Sequence, residues 1–371
     1  MGSAIQATPA WITGLGAVTS VGLDAATTCA SIRAGISRPS ELEGHESMGY
    51  LDYEPVATTG HAVPELARGF SGVGRWMQLA AAAIEDLCDA SRLPAPADDP
   101  AFWKATVAYL VLPVIDDERF GLASYCEEEH LPRTLRDPLL ARVAERFAPV
   151  HTSVLARGRA GVLEVLASLG WQTKGVERVV IVATDSLVDV PSLRWLEETG
   201  RLKNDMNPVG LSPAEASVAL MLEEPRSAQH RGAAGLAVLH AAATDLDPER
   251  SAGKGAGGVG LARAVQGVLE RSSLQDHGAA SYVGDLNGEV WRARELAAAQ
   301  MRVGPERWST ERMVLPVVST GDPGAALPAL QIVVATTALQ RGYAGGSSVL
   351  VTSSEPGGKV GAAIIGRSVR A

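Results

Sequence analysis

Residues 179–186 read Val-Val-Ile-Val-Ala-Thr-Asp-Ser, and residues 348–355 read Ser-Val-Leu-Val-Thr-Ser-Ser-Glu. Each run follows a helical segment and a turn. Each leads through a loop containing Gly or Pro into another apolar strand, 216–222 in one case and 360–366 in the other. A repeat that preserves loop chemistry as well as period constrains the fold strongly: the chain is built of two related halves. Continuous β-branched runs are the mark of strands buried on both faces of a parallel sheet. Strands alternating with helices place those helices on both sheet faces.

The rest of the chain extends this order. Strands are expected at 11–18, 106–114, 178–184 and 216–222, then at 235–242, 279–283, 313–318, 348–352 and 360–366. Helices are expected at 25–34, where Asp24 caps the start and Gly35 the end, and at 75–90, 159–169, 261–274, 292–301 and 325–340. Segment 37–72 reads as an irregular insertion and 116–150 as a charged, mostly helical one. The predicted architecture is α/β, with duplicated βαβαβαββ halves (1–225 and 226–371) stacked as a five-layer αβαβα sandwich. The two helices buried between the sheets are expected to be rich in small residues, as at Ala160–Gly161 and Ala325–Ala326.

Composition narrows the function. Of 371 residues 46% are hydrophobic and 20% charged, a globular balance. A net charge of −9 argues against nucleic-acid binding. No apolar run is long enough to span a membrane, and Met1 to Ala10 has no signal-peptide pattern, so a cytoplasmic location is expected. Cys29, Cys88 and Cys126 fit no zinc spacing, and their odd number suggests reduced thiols. Cys29 and Cys88 read as small core residues, and Cys126, beside Glu127 to Glu129, as an unactivated thiol. The histidines at 45, 61, 130, 151, 230, 240 and 277 form no metal-ligand pair. Neither a metal nor a cofactor is expected. Gly14-Leu-Gly16-Ala-Val-Thr19 lacks the third glycine of a dinucleotide fingerprint and reads as a tight first turn.

Four segments carry a family resemblance. They are Ile12 to Gly22 (Ile-Thr-Gly-Leu-Gly-Ala-Val-Thr-Ser-Val-Gly) with the helix end Ile32-Arg-Ala-Gly-Ile-Ser37, Gly74 to Ala83, Gly210 to Glu224, and Ser353 to Ile365. Together they resemble beta-ketoacyl synthases over the whole chain, with trimmed loops. The resemblance implies a thiolase fold, usually dimeric through its central strands. It also implies a Cys nucleophile at a buried helix N-terminus, where the helix dipole favours the thiolate, and two His that stabilise developing negative charge.

This sequence departs from that set at every position. Val154-Leu-Ala-Arg-Gly-Arg-Ala160 places Arg157 or Gly158 where the Cys belongs. Leu286 or a neighbour, within Val283-Gly-Asp-Leu-Asn-Gly-Glu289, takes the first His place. Asp322, in Thr320-Gly-Asp-Pro-Gly324, takes the second. The family's closing Gly-Phe-Gly-Gly becomes Glu355-Pro-Gly357-Gly358. No catalytic residue is assigned. His151, Arg159, Gly357 and Gly358 are expected to line the pocket, and Arg157 and Arg159 either hold an anion at a helix N-terminus or pair with carboxylates. Asp185-Ser186 has no His in reach and makes no triad.

Two functions follow from the resemblance. The first is a non-catalytic partner or adaptor subunit. It would resemble either a chain-length factor paired with an active synthase, or the degenerate thiolase-like proteins of type VI secretion effector loading, to which the Asp-Leu-Asn-Gly-Glu turn is closer. An active synthase subunit, an acyl carrier protein or a secretion effector would be its partner, in a homo- or heterodimer. The alternative is an acyltransferase, a condensing enzyme of fatty acid or polyketide biosynthesis with an altered site. Loss of groups that act as a unit favours the first.

Overall fold

The computed structural model describes residues 9–51, 53–120, 132–169, 175–255, 257–272 and 278–368. Its strands are β1 (Ala10–Val18), β2 (Ser40–Met48), β3 (Pro55–Gly60), β4 (Thr106–Leu112), β5 (His151–Ala156), β6 (Arg178–Ser186), β7 (Glu215–Glu223), β8 (Ala237–Leu246), β9 (Ser281–Val283), β10 (Met313–Val314), β11 (Ser348–Ser354) and β12 (Lys359–Arg367). The helices that make the layers and the site are α1 (Ala25–Arg33), α2 (Gly72–Ala90), α3 (Gly161–Ser168), α4 (Val190–Glu198), α5 (Val259–Arg271), α6 (Val290–Val303) and α7 (Leu327–Gln340).

Ten strands run in the order β10-β9-β11-β12-β8-β1-β7-β6-β4-β5. From the middle outward, β1-β7-β6-β4-β5 and β8-β12-β11-β9-β10 follow one topology. In each, the first strand pairs antiparallel with the fifth, the fifth antiparallel with the fourth, and the fourth, second and third run parallel. The two sets meet only along Ala10–Ile12 against Ala237–Leu239.

Alternation along the fourth strands builds the layers. Val179, Ile181 and Ala183 of β6, like Val349 and Val351 of β11, face a shared central core with α3 and α7. Val180 and Val182 face the core under α2. Leu350 faces the core under α5 and α6. α7 is buried almost all round, which an interior helix tolerates because both flanks meet a sheet. Of its two wholly buried polar residues, Gln331 and Thr336, the first is an anchor, its Nε2 donating to the carbonyls of Val283 (3.1 Å) and Thr352 (3.0 Å).

Three local expectations are corrected. Segment 37–72 holds an antiparallel hairpin, β2 with β3. Residues 313–318 form a two-residue strand and then a short helix, Val317–Thr320, because Pro316 cannot donate to a ladder. β5 arises between the charged insertion and α3, where no strand was expected. Cys126, His130 and His277 lie outside the described residues. Cys29 and Cys88 are buried, and burial pushes their thiols up to about 11 and about 12.

Candidate functional site

The fourth strands β6 and β11 end at the same pole of the sandwich, where α3 and α7 begin. Each of these helices opens with a tight turn, Gly158–Ala160 before α3 and Gly324–Ala326 before α7. Gly158 (φ +61°) and Gly324 (φ +55°) are both left-handed. At each turn a carboxylate arrives from the other five-strand set. Glu355, just past β11, accepts from the Arg159 backbone N–H at 2.6 Å. Asp185, in β6, accepts from the Ala325 N–H at 2.9 Å. The helix dipole and the free N–H groups favour an anion at such a place. A Cβ on Gly158 would overlap the Glu355 carboxylate, and a Cβ on Gly324 would overlap that of Asp185. The glycines are therefore required twice, by backbone sign and by the crossing acids.

Between these turns lies a chain of buried ions. The Arg159 side chain, 4% exposed, pairs with Asp322, 1% exposed. Asn287 Nδ2 donates to Asp322 at 2.5 Å and to Glu289 at 2.9 Å. Glu289 is also bound by Arg201 (2.7 Å) and Arg292 (3.4 Å). Arg292 reaches Asp285, which in turn accepts from the Ser354 N–H at 2.9 Å. On the other side Arg119 holds Asp185 at 2.7 Å and donates to Ser192 at 3.0 Å.

Burial alone would raise the Asp322 carboxyl. The charges of Arg159 and Arg292 and the Asn287 bond outweigh it, and the group is held below its ordinary value. Burial likewise opposes ionisation of Glu289, but Arg201 and Arg292 hold it well below the carboxylate range. At Glu355 burial dominates Arg159 and its N–H, so its carboxyl is raised.

Of the residues expected here, Arg159, Asp322 and Gly158 are brought together. Arg157 faces outward, half exposed, with Nε 3.9 Å from Glu164. Leu286 packs into the core under α5 and α6 instead, and its neighbour Asn287 is the residue that reaches Asp322. His151 is exposed at the start of β5, bonded to Ser153, and does not line the site. Gly357 lies on the wall of an adjoining cavity of about 380 Å³, whereas Gly358 packs on Asp247 and Ser251. That cavity is also lined by Arg119, Arg201 and Trp195, whose ring lies between the two guanidinium groups at 5.7 and 4.9 Å. Arg201, Arg292 and Glu355 were not picked out from sequence as charge partners. The partners of Arg201 and Glu355 lie 88 and 196 positions away, at Glu289 and Arg159, whereas those of Arg292 lie within the Asp285–Glu289 turn that marked the place. Among the described residues no His, Cys, Asp and Glu group could hold a metal ion, and no helix is long and apolar enough to cross a membrane.

No family model and no curated protein sequence matches the chain. Solved structures do. A type II polyketide acyl carrier protein in complex with its ketosynthase matches with a TM-score of 0.75 at 15% identity, covering 98% of this chain and 100% of that one. The ishigamide ketosynthase/chain length factor matches with a TM-score of 0.70 at 18% identity, covering 97% and 99%. The oxazolomycin ketosynthase domain of Streptomyces albus JA3453 matches with a TM-score of 0.75 at 16% identity, covering 98% and 75%. The fold is that of the thiolase-like ketosynthases.

Proposed function

We propose that the chain is a non-catalytic ketosynthase-fold protein, with related halves 1–225 and 226–371, that acts as a partner or adaptor subunit. The observation that carries this reading is the Glu355 carboxylate bound to the Arg159 N–H against Gly158. On the family resemblance this is the place of the nucleophile. An acid there excludes a side chain at 158 and repels a thiolate or a developing oxyanion. Asn287 and Asp322 stand near the former His positions with their polar atoms committed to Arg159 and Glu289, which supports a structural role for them. Arg157, Gly158, Leu286 and Asp322 are read as degenerate active-site positions.

β5 ends the sheet and pairs only with β4 among the described residues, which supports dimerisation through that edge with a like or unlike chain. The similar structures include an acyl carrier protein complex and a ketosynthase/chain length factor, so a synthase or a carrier protein is one class of partner. A secretion effector is the other, and the work is done in the cytoplasm.

The test is intact-mass measurement after incubation with malonyl-CoA and octanoyl-CoA. No covalent adduct and no released CoA is the expected result. A stoichiometric acyl adduct overturns the reading in favour of a condensing enzyme of altered mechanism. Capture of partners in the native host then separates a synthase or carrier protein from a secretion component.

A further inference from the structure

Away from the site, the C-terminal ends of α1, α2 and α7 converge with residues 231–236 around a concave groove of about 1080 Å³. Four arginines line it, Arg33, Arg92, Arg231 and Arg341, and no Asp or Glu is on its wall. This is unexpected in a chain of 42 acidic and 33 basic residues. Arg231 is already neutralised, bonded to the buried Glu223 through Nε at 2.8 Å. Arg33, Arg92 and Arg341 are exposed, and among the described residues they make no ion pair. The Arg33 guanidinium lies over the Tyr343 ring at 4.1 Å, which fixes one charge at the rim. Arg92 sits just beyond α2 with a left-handed backbone (φ +49°).

The floor between these charges is apolar and made mainly of small residues, Ala26, Ala30, Ala233 and Leu236 among them. Past Arg341 the groove continues into a second hollow of about 900 Å³, lined by Trp11 and Arg367 and again without a carboxylate. Small side chains let another backbone approach closely, while the arginines, only partly offset by the helix C-termini they stand at, select negative charge and speed encounter. The surface is longer than a single small ligand fills. The chain's own residues 1–8 carry no acidic side chain that would neutralise it.

We infer that this groove docks an acidic amphipathic helix of another protein, its apolar stripe on the alanine floor and its carboxylates against Arg33, Arg92 and Arg341. The inference rests on the adaptor reading only in supposing a partner.

The probe is a fluorescein-labelled helical peptide about four turns long, with leucines on one face and glutamates on the other. Its binding to the full chain is read by fluorescence anisotropy. Binding is expected to weaken at least ~10-fold in the double variant Arg33→Glu/Arg341→Glu, to weaken from ~50 to ~300 mM salt, and to persist in the control Arg302→Glu. The arginines exchanged are exposed and make no ion pair, but Arg33 stacks on Tyr343 and both stand at helix C-termini, so the thermal midpoint of the double variant should fall modestly and binding is read well below it. Unchanged affinity in the double variant overturns the proposal. So does full displacement of the peptide by inorganic tripolyphosphate at equal charge concentration, which would assign the groove to a small polyanion. An acyl adduct in the mass experiment would remove the non-catalytic reading and leave the groove standing; unchanged peptide binding would do the reverse.

Discussion

Asp322 joins Arg159 to the Asn287–Glu289 cluster, and its environment sets what its loss would do. It accepts from Arg159, from Asn287 and from the Gly324 N–H at 3.0 Å. Asp322→Ala leaves the buried Arg159 guanidinium without its ion-pair partner, with Glu355 and Glu289 acting on it only through longer-range attraction, and removing one member of a buried pair costs about 3–5 kcal/mol. Urea unfolding should show this. The double variant Arg159→Met/Asp322→Leu should lose clearly less than the two single losses added, because contacting residues are not additive. Glu355 permits a second measurement. Glu355→Ala vacates the anion place at the Arg159 N–H, so the variant should be less stable by about 1–3 kcal/mol, and acetate, but not chloride at equal ionic strength, should recover part of the thermal midpoint. Sequence reading brought Arg159, Gly158 and Asp322 forward because motif neighbours marked them. For the Asp285–Glu289 turn it offered Leu286 or a neighbour without choosing, since a turn gives order along the chain but not which side chain points inward; Asn287 is the one that reaches Asp322.

At the scale of elements, the legible parts were those whose pattern is intrinsic. The β-branched run of β6, the amphipathic α2 and the small-residue starts of α3 and α7 each announce themselves. β5 did not: its sequence, His-Thr-Ser-Val-Leu-Ala, mixes polar and apolar residues because it lies at the sheet edge, and only pairing with β4 makes it a strand. The β2–β3 hairpin was hidden for the same reason, having mostly exposed residues on β2. α7 offers a test of its anchoring. Gln331→Leu keeps volume but deletes two hydrogen bonds from a fully buried place, and should cost about 1–3 kcal/mol by chemical denaturation. A similar loss is expected for Gly324→Ala, which demands a left-handed alanine and displaces Asp185.

For the whole molecule, both halves contribute to one central core and exchange acids across it, Glu355 to α3 and Asp185 to α7. They should therefore unfold together, giving coincident transitions by fluorescence and far-UV circular dichroism. The folded state should also be acid-sensitive through His61, whose ring lies against Gly321 beside Asp322. His61 is 4% exposed, its Nδ1 has no partner, and burial lowers its pKa to about 4 from 6.5. Above the unfolded value both states are neutral. Below it only the unfolded chain takes up the proton, so stability falls as pH drops from 6.5 towards 4. The loss at pH 5 is about 2 kcal/mol relative to pH 7. In His61→Leu the difference between the two pH values should shrink by that amount; an undiminished slope would assign it to other groups.

The crossed acid at Gly158 has a historical consequence. Glu355 and Gly158 stand 197 positions apart, yet no side chain fits at 158 while Glu355 stays. A side chain at 158 can follow only after residue 355 has been shortened, and it still meets the left-handed backbone there. The two positions then behave as a single inherited character, and exchange at the pair is open in only one order, the acid before the glycine.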